Sequence, residues 1–149
     1  MREIKFRAWD DVTSKMYHTG EEDMMHFYFN SNGMVVDSFE NTKIPFEDNL
    51  YDDVITETLE HLEYMQYTGL KDKNGTEIYD GDYIRYSMRT INGSIYTHVC
   101  RVFQHESGTW RIEGYHEDNH SYETKGTVYA THLICEVIGN IYENPELVK

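Results

Sequence analysis

Short runs in which apolar and polar residues alternate recur along the whole chain, and turn-forming residues separate most of them. In Ile4–Trp9, for example, Ile4, Phe6 and Ala8 would lie on one face of a strand and the residues between them on the other. Alternation, short apolar runs and the turn residues between them predict further strands at Lys15–His18, Met24–Phe29, Met34–Phe39, Met65–Thr68, Asp82–Met88, Ser94–Phe103, Thr109–Tyr115, Val128–Thr131 and Leu133–Tyr142. Many short strands at this spacing are typical of a small barrel or sandwich, so we predict a mainly β chain.

One segment departs from the alternation. Between Leu50 and Leu62 the apolar residues recur at close to helical spacing, which predicts a short helix. The β-branched Val54 and Ile55 lower the helix propensity of the same segment. Residues 116–126 are acidic, contain histidine and are predicted to form a loop.

The strongest turn signal is Asn74-Gly75, which predicts a type I′ hairpin with positive φ at both central residues. It lies early in what we predict to be a C-terminal barrel region, residues 64–149. Residues 1–63 would form an N-terminal β-hairpin region with the short helix, and the strand at residues 1–9 would pack on the barrel.

The chain is strongly acidic, because 13 Lys and Arg stand against 27 Asp and Glu, for a net charge of −14. Proteins that bind duplex DNA usually present basic surface to the phosphates, so this charge argues against duplex binding. Two interpretations stay open. The charge serves solubility, or it meets a basic partner or imitates a polyanion.

The two cysteines, Cys100 and Cys135, lie in apolar stretches and are expected to be small buried side chains. The sequence does not indicate whether they lie near each other. The first residues lack the apolar core of a signal peptide, and no apolar run is long enough to span a membrane. We expect a reduced cytoplasmic protein without membrane association.

Three blocks of sequence carry a family resemblance: Arg2–Asp10, Met65–Asp82 and Val137–Leu147. In this order they resemble the YopX-like family of uncharacterised phage and prophage proteins. The resemblance implies a mainly β fold with a minor α+β part, in which the C-terminal half is a small SH3-like barrel and the N-terminal region is smaller and β-rich. It implies a role in the cytoplasm of a bacterial host cell, but no activity and no catalytic residues.

Two groups of residues suggest chemistry. His116 and His120 could hold a divalent metal on one face of a helical turn, but Asn119 and Ser121 favour a loop there. The run Gln104–Ser107 contains a base, an acid and a hydroxyl, but neighbouring residues on a strand or turn point in different directions. We therefore predict a non-enzymatic protein with no cofactor and no metal.

The candidate binding residues are aromatic and arginine side chains of the predicted barrel: Tyr67, Tyr79, Tyr83, Arg85, Tyr86 and Trp110. Three further side chains could belong to the same platform: Tyr96, Arg89 and Arg101. Such side chains stack the bases of single-stranded nucleic acid, although the same rings also suit a barrel core. Our first hypothesis is an interaction module that binds a protein partner. Alternatives are single-stranded nucleic-acid binding through this face, or an acidic DNA mimic that inhibits a host nucleic-acid enzyme. Exposed strand edges also predict a homo-oligomer.

Overall fold

The computed structural model describes residues 3–21, 25–30, 33–40, 55–58, 61–116 and 121–148. The chain divides into two compact units, Lys5–Tyr64 and Met65–Lys149, the second together with Met1–Ile4. Antiparallel strands dominate both units, which confirms the prediction of a mainly β chain. No helix in the described ranges is long and apolar enough to cross a bilayer.

The N-terminal unit is made of strands only, in its described part. A hairpin joins β1 (Phe6–Asp10) to β2 (Lys15–His18). A three-stranded antiparallel sheet has the order β3 (Met25–Asn30), β4 (Gly33–Glu40) and β5 (Ile55–Thr58). The buried cluster of this unit contains Ala8 and Leu62, with Phe27 and Tyr64 packed against it.

The helix predicted between Leu50 and Leu62 is wrong at Ile55–Thr58. These residues form β5, which pairs with β4 and places Thr56 opposite Phe39. Three of the four residues of β5 are β-branched, so they fit a pleated surface better than a helix. Residues 50–54 and 59–60 of the predicted helix lie outside the described residues.

The C-terminal unit contains a five-stranded antiparallel sheet in the order β11-β10-β9-β8-β12. Its strands are β8 (Asp82–Arg89), β9 (Ile95–Gln104), β10 (Trp110–His116), β11 (Ser121–Thr127) and β12 (Glu136–Asn140). Before the sheet, β6 (Glu63–Lys71) pairs with the short β7 (Glu77–Tyr79). The predicted barrel takes the form of a sheet curled into a half-barrel.

The core of this unit gathers alternate residues of several strands, as the period of a strand requires. Its fully buried members include Ile78, Ile84, Val102 and Ile112, and both cysteines belong to it as free thiols. Burial removes these apolar side chains from water and supplies about 1.5–3 kcal/mol for each large one.

Two segments of the C-terminal unit differ from the prediction. Val128–Thr131 forms a short helix, α1, and not a strand, because the hydroxyl of Thr127 caps it by accepting the Ala130 N–H at 3.3 Å. The predicted loop at residues 116–126 is mostly wrong, since β11 begins at Ser121. β11 is polar because it lies at the edge of the sheet with β10 as its one neighbour among the described strands. A 3-10 helix, Pro145–Val148, follows β12.

The predicted type I′ turn at Asn74-Gly75 is also wrong. Gly75 has a φ of 88°, but Ser14 is the one non-glycine residue with positive φ in the described ranges, so Asn74 does not share it. Asp72 N donates to Thr76 O at 2.8 Å and Gly75 N to Asp72 O at 3.0 Å. These bonds define a three-residue loop with the glycine in the left-handed region. The hairpins at 90–94 and 105–109 repeat the same two bonds.

Candidate functional site

The most distinctive block of the sequence, Met65–Asp82, is organised around the buried carboxylate of Asp72. Its Oδ1 accepts the N–H groups of Asn74 at 2.8 Å and Thr76 at 2.9 Å, and its Oδ2 accepts Val137 N at 2.9 Å. Burial alone would raise the pKa of Asp72, but the N–H donors of Val137, Thr76 and Asn74 outweigh it and leave the pKa below its ordinary value. Asp72 therefore fastens the β6–β7 turn to β12 and has a structural role.

The predicted binding residue Arg85 belongs to an ion-pair group beside this turn. Its Nε donates to Glu136 Oε1 at 2.8 Å, and Lys73 Nζ lies 3.0 Å from Glu136 Oε2. The bonds from Arg85, followed by those from Lys73, lower the pKa of Glu136. Since this group is exposed to solvent, it adds little to stability.

The five aromatic residues predicted to bind a ligand are buried. Tyr67, Tyr79, Tyr83, Tyr86 and Trp110 are each at most 8% exposed. Tyr67 and Tyr79 pack with their ring centroids 5.4 Å apart, and burial, followed by the Cys100 thiol, raises the pKa of Tyr86 to about 12. Their role in binding stays a prediction, and this burial disfavours it because a stacking base needs an open ring face.

The outer half of the β8–β9 hairpin, residues 86–98, extends beyond its neighbouring strands, and we call it the arm. β8 and β9 pair along its whole length, as far as Arg89 opposite Ile95. β12 runs beside β8 only between Asp82 and Arg85, and β10 runs beside β9 only from Cys100 onwards. Within the described part of the chain, no strand flanks the arm on either edge.

The arm carries the core face of the sheet out into solvent. Ile84 and Cys100 face each other in the core at 0% and 1% exposure. Two pairs further out on the same face, Met88 and Tyr96 are 53% and 56% exposed, and Ile91 at the tip is fully exposed. Between the core and these residues, the Tyr86 and His98 rings stack with centroids 5.2 Å apart. Met88, Ile91 and Tyr96 line an open groove of about 700 Å³.

The arm also differs in charge from the rest of the molecule. Residues 83–105 contain no carboxylate, although the chain has 27, and they contain Arg85, Arg89 and Arg101. Arg101 pairs with Glu113 through its Nε at 2.8 Å, as Arg85 does with Glu136. Arg89 also lines the groove and forms no ion pair with any described residue. This run without Asp or Glu can be read from the sequence, and it is the feature that could have indicated this surface.

Asp10, Asp11 and His61 place potential metal-ligand atoms within 4.8 Å of one another. The carboxylate of Asp10 is already used, however, because it accepts Val12 N at 2.9 Å, Thr13 N at 3.1 Å and the Thr13 hydroxyl at 2.7 Å. His61 Nε2 lies 3.1 Å from Asp10 Oδ1. Burial would raise the pKa of Asp10, but these bonds outweigh it and lower the pKa. The arrangement closes the β1–β2 turn.

His105 and Ser107 do converge, contrary to the prediction that their side chains point apart. His105 Nδ1 lies 2.9 Å from Ser107 Oγ and accepts the Ser107 N–H at 3.1 Å. The second bond is equivalent to the one that Asp72 accepts from Asn74 in the matching hairpin turn. The contact is therefore explained as turn geometry. The other predicted pair, His116 and His120, falls on side chains outside the described residues and stays a prediction.

The family model described as YopX protein matches residues 5–149. The chain belongs to the YopX family. It is also similar to a solved structure, the crystal structure of protein EF1440 from Enterococcus faecalis, at 26% identity, with all of each chain covered and a TM-score of 0.62. No curated protein matches the chain.

The resemblance to the YopX family is thus confirmed. The structure also shows how two of the three sequence blocks, Met65–Asp82 and Val137–Leu147, contact each other. In the C-terminal unit, Gly81 O accepts Ile141 N at 3.0 Å, and Asp82 pairs with Asn140 in the β8–β12 ladder. The bond from Val137 to Asp72 joins the same two blocks. These YopX residues hold one seam of the fold together, and the arm lies between them in the sequence.

Proposed function

We propose that this YopX family protein is a non-enzymatic interaction module that binds a protein partner through the arm. The observation that carries the proposal is the continuation of the apolar core face onto Met88, Tyr96 and Ile91, where nothing described covers it. Leaving such surface in water forgoes roughly 25 cal/mol per Å², and contiguous exposed apolar patches mark interaction sites.

The chemistry of the arm favours a protein over single-stranded nucleic acid. Large exposed apolar side chains outnumber the single unpaired cation, Arg89, on the described arm. Affinity for nucleic acid comes chiefly from several cations and falls steeply with salt. The arm has no carboxylates, so it lends no support to the DNA-mimic hypothesis.

We place this role in the cytoplasm of a bacterial cell that carries the phage or prophage, as family resemblance implied. A second copy of the chain would also be a protein partner, and the predicted homo-oligomer belongs to the same proposal. Light scattering of the purified protein at high concentration tests that form directly. A strict monomer would leave a different protein as the partner.

The proposal is tested with the double variant Met88→Ser/Tyr96→Ser. Its matched control, Tyr129→Ser/Leu133→Ser, removes apolar side chains of 77% and 75% exposure from α1 and the turn after it. Enterococcus faecalis lysate, with and without nuclease treatment, is passed over each immobilised protein, and any retained protein is purified for Kd measurement.

We expect the arm variant to weaken binding about 10- to 100-fold, since central interface residues each contribute more than about 1 kcal/mol. The control should bind as the parent protein does. Equal loss in both variants, or binding that disappears with nuclease, would contradict a protein-binding arm. The second result would instead support the nucleic-acid hypothesis.

A further inference from the structure

The backbone groups of β8 that face away from β9 can be identified from the hairpin turn. Thr90 N donates to Ser94 O at 2.8 Å and closes the hairpin. Residues of an antiparallel ladder alternate between bonding to one neighbour and to the other, so Met88 and Tyr86 bond to β9. The N–H and C=O groups of Ser87 and Arg89 therefore point to the opposite side, away from β9.

The same alternation holds where β12 is present, which checks the assignment. It predicts that Ile84 bonds to β9, so that its partner in β12, Val137, should direct its N–H away from β8. Val137 N indeed donates to Asp72 Oδ2 at 2.9 Å. Beyond Arg85, the described part of β12 no longer accompanies β8, and the groups of Ser87 and Arg89 form an open strand edge.

We propose that this edge of β8 accepts an extended segment of the partner as an added strand. The inference rests on the proposed function, because the added strand would occupy the same arm. Strand addition joins main-chain hydrogen bonds, which supply affinity, to alternate side-chain contacts, which supply specificity. The open edge from Tyr86 to Arg89 accommodates about four residues, or roughly 13 Å of strand.

The two faces of the arm define the chemistry of the occupant. Side chains on its first face lie beside Tyr86 and Met88, on the apolar face that carries the groove. Side chains on its second face lie beside Ser87 and Arg89, where a carboxylate meets an unpaired guanidinium. The occupant is thus an acidic strand in which apolar residues alternate with Asp or Glu.

Charge also argues against a second copy of β8 as the occupant. Because β12 already occupies the edge beside Arg85, a second copy of β8 could pair only at Tyr86–Arg89. There, a twofold axis through Met88 would bring the two Arg89 side chains onto one face as diagonal neighbours, and an axis through Arg89 would place them directly opposite each other. Like charges at directly opposite positions destabilise a sheet. An acidic segment avoids this repulsion and complements the acid-free run at residues 83–105.

The first test uses fluorescent peptides and the full-length protein. The probe contains Val-Glu-Val-Glu-Val, and its comparison peptide replaces each Glu by Lys. Two further probes carry N-methyl groups either on the Glu residues or on the Val residues, so that each blocks one edge of the strand. Binding is followed by fluorescence anisotropy.

We expect the Lys peptide to bind at least tenfold more weakly and one N-methylated set, but not the other, to lose binding. Added strands use one edge only, so equal behaviour of the two N-methylated sets would overturn the inference. No binding of the Val-Glu probe, or equal binding of the Lys peptide, would overturn it as well.

The second test compares Ser87→Pro with Ser87→Ala in the full chain. Both remove the Ser87–Thr97 hydroxyl contact of 2.9 Å, but only proline removes the outward N–H. We expect Ser87→Pro to bind the probe at least tenfold more weakly than Ser87→Ala, with thermal melts to verify folding. If the two bind the probe equally, the added strand is refuted. Loss of partner binding in Met88→Ser/Tyr96→Ser would still support the interaction module. If Ser87→Pro does not fold, the peptide series decides.

Discussion

Replacing Asp72 by Asn tests the claim that this carboxylate joins the β6–β7 turn to β12. In the native chain its oxygens accept three backbone N–H groups at 2.8–2.9 Å. An asparagine keeps one acceptor oxygen and turns an NH₂ group toward the remaining donors. At least one hydrogen bond to a charged group is then lost, and a buried donor is left without a partner.

We expect Asp72→Asn to lower the free energy of unfolding by about 2–4 kcal/mol, because each lost charged bond contributes about 1.5–3 kcal/mol. With a slope of about 2 kcal/mol per M, the urea midpoint falls by roughly 1–2 M. Unfolding is followed by tryptophan fluorescence, to which Trp9 and Trp110 both contribute, and Glu106→Gln in the exposed β9–β10 turn is the matched acid-to-amide control.

The same variant has a defined pH dependence. Because the pKa of Asp72 is lowered in the folded protein, ionised Asp72 stabilises the fold above its ordinary value of 3.8, and this stabilisation is lost as the pH falls through the folded pKa. The difference in stability between the parent and Asp72→Asn should therefore be full above about pH 5 and shrink below about pH 4. A midpoint change no larger than that of the control, or a difference that grows in acid, would refute the reasoning.

Three further predictions concern local structure. Gly139→Ala should destabilise the protein by about 1–3 kcal/mol more than Gly108→Ala in urea titrations, because a Cβ at Gly139 would lie 2.8 Å from Asn144 Cγ and none meets a neighbour at Gly108. Cys135 should react with a thiol reagent about 100-fold more slowly folded than in urea, since burial raises its pKa to about 11. Ser14→Gly should raise the free energy of unfolding, measured by urea titration, by about 0.5–1 kcal/mol, because Ser14 has a φ of 54°.

The strands that the sequence predicts well are those whose pattern has one physical cause. Asp82–Met88 alternates because one face of the sheet is buried, and Lys15–His18 follows a polar turn as the return strand of a hairpin. Both strands are found. The pattern fails where a distant partner or a cap decides the outcome. Ile55–Thr58 pairs with β4, and Thr127 caps α1, and neither interaction is visible in local spacing.

The candidate site was harder to predict because alternation does not say where a sheet stops being covered. Tyr86 and Met88 lie on the same face of β8 and look equivalent in the sequence. In the structure Tyr86 is 6% exposed and Met88 is 53% exposed, because Met88 lies further beyond Arg85 and Cys100, where the described neighbours of β8 and β9 stop. The absence of carboxylates at residues 83–105 is the one sequence signal that distinguishes the arm.

The three sequence blocks that carry the YopX resemblance and the proposed binding surface involve different residues, although the family model, at residues 5–149, covers both. The blocks around Asp72 and Asn140 are joined by the bond from Val137 N to the Asp72 carboxylate and by the β8–β12 ladder, and these bonds position β12 against only the inner half of β8. β12 therefore has two effects. It completes the sheet near Asp82, and because its first residue lies opposite Arg85, it leaves the edge of β8 beyond Arg85 open. The seam between these two blocks thus also sets the position at which the proposed partner strand could begin. The side chains of the arm, which lie outside the three sequence blocks, would then select the proposed partner.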